Sequence, residues 1–142
     1  MRDRPVGFRE FCDDLAERCR ALSRLPLQFT AQANGGDPLL DGFTASEARR
    51  ATLEMVRNAD RHAAPTTITV SVYVDRELTI VVEDDGRGLS EEALEESPGG
   101  LQNLRERALL LHGALTMTAL HPGTRLTFAV PIPDRRMPMN MG

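Results

Sequence analysis

Residues 66–90, "TTITVSVYVDRELTIVVEDDGRGLS", decide how this chain is read. Their first half alternates strictly, with Ile68, Val70, Val72 and Val74 on one side and polar residues on the other, which is the pattern of a half-buried strand. Asp75, Arg76 and Glu77 form a short turn, and "LTIVVED" (78–84) follows, so the two runs predict a β-hairpin. Side chains on a strand repeat with a period of two, so Asp84 shares the face of Leu78, Ile80 and Val82. A carboxylate therefore enters the core side of the sheet where the strand ends, and a Gly-x-Gly backbone comes next.

Working outward, the flanks supply helices. "FREFCDDLAERCRALSRL" (8–25) sets Phe8, Phe11, Leu15, Cys19 and Leu22 at helical spacing. "PLQFTAQ" reads as a short strand and "NGGDP" as the turn after it. Thr44 and Glu47 of "TASE" have the spacing of a capping box, which predicts a helix running through "ASEARRATLEMVRNADRHA" until Pro65 stops it. Residues 85–99 are irregular and punctuated by Gly and Pro, and "LQNLRERALLLHG" (101–113) is a helix closed by Gly113. "ALTMTAL", the turn "HPG" and "TRLTFAVPIP" make a second hairpin, and "DRRMPMNMG" (134–142) has no pattern and reads as a loose, disordered tail.

The order is α β α β β, a loop, then α β β, without an internal repeat or a linker. Strands arriving in hairpins predict a mixed, mostly antiparallel sheet, and three amphipathic helices must cover one face of it. The expected fold class is α/β, a two-layer sandwich, formed as one domain over residues 1–133.

Bulk composition narrows the function classes. A chain of 142 residues buries a core without metal or disulfide support. A net charge of −4 argues against a nucleic-acid or anionic-membrane surface. All seventeen basic residues are Arg, which reads as genome composition. No apolar run reaches membrane-span length and the Arg/Asp-rich start is no signal peptide, so the expected compartment is cytoplasmic. Cys12 and Cys19 sit seven apart in the first helix, a spacing that suits neither a metal site nor a disulfide framework.

Four constellations carry chemistry. A buried Asp84 needs a hydrogen-bond donor, which an exocyclic amine of a planar base supplies, while Gly86 and Gly88 let the backbone pass close to a flat ligand; the plainer alternative is a turn capped by Asp. "EMVRNADRHA" puts Glu54, Asn58 and His62 at i, i+4 and i+8, with Arg61 alongside. There the Asn58 amide oxygen can complete a Mg²⁺ shell of phosphate oxygens and water, Arg61 and His62 can meet phosphate charge, and Glu54 can orient or deprotonate a nucleophile. A solvated polar helix face is the alternative, though Asn is a poor residue for the middle of a helix. Gly99 and Gly100, just before the helix that begins at Leu101, leave free N–H groups and the positive dipole end for an anion, or make an ordinary flexible helix start. Thr124 shares parity with Leu126, Phe128 and Val130, so its hydroxyl points inward, whether or not it does more than a plain strand residue.

Together and in this order, these pieces resemble the nucleotide-binding module of the GHKL superfamily, which includes histidine kinases, gyrase B, MutL and heat-shock chaperone ATPases. "EMVRNADRHA" is similar to the family's N box, "VEDDGRGL" to its first glycine box and "GGLQNLRERALLLHGAL" to its second. The "LRER" string and the short segment between Gly88 and Gly99 look most like histidine kinases whose partners are NarL-type response regulators. The resemblance covers roughly residues 8–132 and implies the Bergerat fold. It implies ATP and Mg²⁺ as ligands, with Asp84 accepting from the adenine amino group and Asn58 holding the metal. Arg61 and His62 would lie by phosphates or ribose. Gly86, Gly88, Gly99, Gly100 and Leu101 would border a lid over 89–98, and Thr124 would join the hydrogen bonds behind the base. The chain departs from the family pattern at Pro98, where a glycine usually opens the second glycine box; this bears on phosphate contacts in the lid and not on the adenine site.

A histidine kinase also needs a phosphoacceptor histidine followed by an acidic residue. His62, His112 and His121 are followed by Ala, Gly and Pro. The expected function is therefore the ATP-binding catalytic domain of a two-component sensor histidine kinase, acting on a histidine of another segment or chain. Its partners would be a dimerisation and phosphoacceptor domain and a downstream response regulator. The alternatives are a free-standing serine kinase of the anti-sigma type and a non-catalytic ATP-binding module.

Overall fold

The computed structural model describes residues 4–62, 67–86, 101–120 and 122–132. Its strands and helices follow the alternation and periodicity of the chain: β1 (Val6–Gly7), α1 (Phe8–Leu22), β2 (Leu27–Ala33), β3 (Leu39–Leu40), α2 (Gly42–His62), β4 (Ile68–Val74), β5 (Glu77–Asp84), α3 (Leu101–Leu110), β6 (Ala114–Ala119) and β7 (Thr124–Pro131). The five long strands form one sheet in the order β2-β4-β5-β7-β6, and β1 pairs separately with β3. Within the large sheet β2 runs parallel to β4, and the other neighbours are antiparallel. The mixed, mostly antiparallel sheet and the α/β sandwich are as expected from the hairpins.

Parity places the core. Ile68, Val70, Val72 and Val74 of β4, Leu78, Ile80 and Val82 of β5, and Leu126, Phe128 and Val130 of β7 are all buried on the face that the helices cover. Phe8, Phe11, Leu15 and Cys19 of α1, Ala48, Ala51, Met55 and Val56 of α2, and Leu101, Leu104 and Ala108 of α3 complete the same cluster. Each large side chain removed from water in this way contributes roughly 1.5–3 kcal/mol. The opposite face carries Thr30, Ser71 and Tyr73, and there Arg125 Nε meets Glu83 Oε2 at 2.6 Å across paired strands. The Cys12 and Cys19 thiols are free and buried, and burial pushes both up to about 12, which makes them packing groups rather than nucleophiles.

Helix ends differ from the sequence reading, each for a local reason. Helix α1 ends at Leu22 rather than continuing to 25, because the Ser23 hydroxyl donates to the Leu25 carbonyl at 3.0 Å and accepts from the Leu25 N–H at 3.1 Å, just ahead of Pro26. At the head of α2, Thr44 is not the cap. Asp41 accepts from the Thr44 N–H at 3.1 Å, so the helix starts earlier than the capping box indicated, and Glu47 instead accepts from Arg107 Nη1 of α3 at 2.7 Å. At the end of α3 the left-handed residue is His112 (φ 63°), and Gly113 follows it. Hydrogen bonds from His112 N–H to Leu109 C=O (3.0 Å) and from Gly113 N–H to Ala108 C=O (2.8 Å) make this a Schellman closure.

Candidate functional site

Three polar side chains converge in an otherwise apolar part of the core: Asn58 (1% exposed) from the middle of α2, Asp84 (8%) from the last position of β5, and Thr124 (5%) from the first position of β7. They line one narrow cleft of about 10 Å³, whose remaining walls are Met55, Ala59, Val82 and Leu126. The local sequence dictates this meeting. Asp84 and Thr124 face each other as the last rung of the β5–β7 ladder, which fixes both on the core side. Asn58 lies on the α2 face that also presents Met55 and Ala59, three residues before it and one after.

The carboxylate is held as well as hidden. The Gly86 N–H donates to Asp84 Oδ1 at 2.9 Å. Burial pushes the Asp84 carboxyl above its ordinary value of 3.8; the Gly86 N–H opposes that, neighbouring Asp85 adds to it, and a backbone hydrogen bond from Thr124 opposes it. Asp85 has a different job: its Oδ1 accepts from the Thr67 N–H at 3.0 Å and ties the start of β4 to the end of β5. The two adjacent aspartates thus divide between the cleft and a turn, as strand parity requires. A slot with apolar walls and a buried acceptor suits a flat ring that carries an N–H donor.

The other candidate residues are placed as follows. Glu54 lies on α2 one turn before Asn58, accepts from Arg57 Nη1 at 3.0 Å, and is not among the cleft's lining residues. Arg61 and His62 belong to the last turn of α2, with side chains outside the described residues. Leu101 opens α3 with its side chain fully buried, so what it offers outward is a first-turn N–H. Gly88, Gly99, Gly100, the lid over 89–98, Pro98, His121 and the tail 134–142 lie outside the described residues. The sequence reading missed the apolar walls, although the signal was present: Val82 and Leu126 are parity mates of Asp84 and Thr124, and Met55 and Ala59 share the helix face of Asn58. Two larger hollows of about 320 and 410 Å³ flank α1, and neither collects any of the candidate residues.

Among the described residues no group of three or more His, Cys, Asp or Glu side chains is arranged to hold a metal. A single amide oxygen, that of Asn58, is compatible with a Mg²⁺ ion only where the remaining ligands come from a bound phosphate and water.

Fold and cleft together define an α/β sandwich with a buried carboxylate at the end of its central strand. Residues 44–134 match the family described as histidine kinase-, DNA gyrase B- and HSP90-like ATPases, and the chain belongs to that family. It is 33% identical over 124 residues to the signal transduction histidine-protein kinase/phosphatase UhpB of Salmonella typhimurium, a stretch that covers 82% of this chain and 24% of the relative. It is 33% identical over 85 residues to the sensor protein VraS of Staphylococcus aureus, covering 58% of this chain and again 24% of the relative. The chain thus matches about a quarter of the length of these curated relatives. Among solved structures, the ATP binding domain of PrrB from Mycobacterium tuberculosis superposes with a TM-score of 0.70 at 21% identity, over 93% of this chain and 98% of that one. The mycobacterial sensor histidine kinase MprB superposes with a TM-score of 0.64 at 24% identity, over 92% and 98%. These likenesses carry the fold. Among the described residues no helix is long and apolar enough to cross a membrane.

Proposed function

We propose that this chain is the ATP-binding catalytic domain of a sensor histidine kinase of the subfamily paired with NarL-type response regulators. It transfers the γ-phosphoryl group of ATP to a histidine supplied by another segment or chain. The observation that carries this reading is the buried Asp84, oriented by the Gly86 N–H and facing Asn58 and Thr124 across an apolar slot.

In this reading the adenine ring enters between Met55, Ala59, Val82 and Leu126, and its amino group donates to Asp84. Thr124 closes the hydrogen bonding behind the base. The Asn58 amide oxygen would hold Mg²⁺, which when bound supplies charge neutralisation on the transferring phosphoryl group. Arg61 and His62 would lie by the phosphates or ribose, Gly86, Gly88, Gly99 and Gly100 would border the lid, and N–H groups at the start of α3 would be donors for an anion. Glu54 orients the incoming imidazole once it leaves Arg57. Catalysis is then mostly positioning of the two reactants. A 6-oxo purine presents an acceptor to the Asp84 carboxylate, so GTP is rejected. The phosphoacceptor helices and the response regulator are separate partners, in cis or in trans.

Incubation of the chain with labelled ATP, Mg²⁺ and a phosphoacceptor helix domain tests the reading. Acid-labile phosphate on the acceptor, absent with GTP and with Asp84→Asn, is the expected result. Acid-stable phosphoserine, or no transfer by a chain that binds ATP tightly, contradicts it.

A further inference from the structure

The turn from β6 to β7 bears directly on the main chain of Asp84. It is closed by the Leu120 N–H donating to the Gly123 carbonyl at 2.9 Å, and Gly123 has φ +106°, a conformation that residues with a side chain rarely adopt. The next residue, Thr124, pairs with Asp84 on one side and with Ala119 on the other. A methyl group on Gly123 would overlap the Asp84 carbonyl oxygen, and would lie 2.9 Å from the Asp84 carbonyl carbon and 3.1 Å from the Asp85 Cα. These are backbone atoms, which cannot swing aside as a side-chain tip does. Gly35 and Gly36 make the contrast: both have positive φ, yet a methyl group on either meets nothing within 4 Å. Gly123 is constrained by space as well as by conformation.

A side chain at 123 must therefore open the final rung of the β5–β7 ladder, and that rung carries both Asp84 and Thr124. We infer that Gly123 is a positioning residue for the carboxylate, its missing side chain setting the depth at which Asp84 meets the purine. The inference rests on the adenine reading of the cleft. It also gives "HPG" a role beyond turning the chain.

The molecule holds its own control. A methyl group on Gly113 would overlap the Ala129 carbonyl oxygen and lie 2.5 Å from Val130 Cγ1, an equally severe clash with β7. Val130 pairs with Leu78, however, at the opposite end of β5 from Asp84. Gly113→Ala thus imposes comparable strain on the same strand and leaves the cleft alone.

Wild type, Gly123→Ala, Gly113→Ala and Asp84→Asn are compared by calorimetric titration with Mg·ATP and Mg·GTP, with thermal unfolding of each. Both glycine variants lose stability. Gly123→Ala loses ATP affinity by roughly tenfold or more, the scale of a displaced hydrogen bond to a charged group, together with the preference for ATP over GTP. Gly113→Ala keeps both. A folded Gly123→Ala with wild-type affinity and preference overturns the inference, as does an equal loss in Gly113→Ala. If Asp84→Asn loses ATP and Gly123→Ala does not, the positioning role alone falls; if Asp84→Asn binds as wild type, the adenine reading falls with it. Should Gly123→Ala fail to fold, wild-type amide spectra carry the test. The Gly123 resonance must move on ATP addition and stay still with GTP or in Asp84→Asn, and a Gly123 amide indifferent to ATP overturns the inference.

Discussion

Asp84 is costly to the folded protein when the cleft holds no ligand. Burial raises its folded pKa above 3.8, so its contribution to stability is fully present below the unfolded value and is lost as pH rises through the folded one. Asp84→Asn removes that loss. The variant without nucleotide should be at least as stable as wild type at neutral pH, with the difference shrinking as pH is lowered below 3.8, read from thermal unfolding across the acid range. Its affinity for ATP should fall by about 1.5–3 kcal/mol, the scale of a hydrogen bond to a charged group, measured by calorimetric titration. A gain in stability paired with a loss of binding is the signature of a carboxylate kept for its ligand. This residue was readable from sequence because strand parity alone decides which of Asp84 and Asp85 turns inward. Thr124 was readable by the same rule, and Asn58 because Asn is disfavoured in the middle of a helix. The partnership of Glu54 with Arg57 was not, since (i, i+3) pairing competes with any role across the helix and periodicity cannot rank the two.

Helix termini show where local signals mislead. Thr44 and Glu47 have capping-box spacing, yet Asp41 caps α2 and Glu47 reaches across to Arg107. Asp41→Ala should therefore cost about 1 kcal/mol in denaturant unfolding, and Thr44→Val clearly less; the opposite ranking would restore Thr44 as the cap. The head of α1 is satisfied from a distance: Arg9 N–H donates to Asp37 Oδ1 at 2.9 Å, and Phe8 N–H donates to the Pro38 carbonyl at 2.9 Å. No window along the chain contains that pairing, nor the two-residue strands β1 and β3 that bring the segments together. Gly113 closes α3 as expected, its N–H donating to the Ala108 carbonyl at 2.8 Å, but it does not supply the left-handed turn. His112 supplies it instead, because the position after it is reserved for a residue without a side chain against β7.

On the scale of the molecule, hairpins and apolar stripes revealed the layers and most of the sheet, whereas the parallel pairing of β2 with β4 depends on α2 crossing between them. That crossing also brings Asn58 over the ends of β5 and β7, so one helix and two strands build a single cleft. If the cleft works as proposed, Asn58→Ala should remove the Mg²⁺ dependence of ATP binding, measured by titration with and without the cation; Mg²⁺ dependence equal to wild type would remove Asn58 from the metal. The central claim is that Asp84 reads the adenine, and a crystal structure of the chain with a non-hydrolysable ATP analogue tests it most directly. The adenine amino nitrogen should lie about 2.7–3.2 Å from an Asp84 carboxylate oxygen, with the ring between Met55 and Leu126. A base bound elsewhere, or an Asp84 side chain turned out to solvent in the complex, would contradict the account.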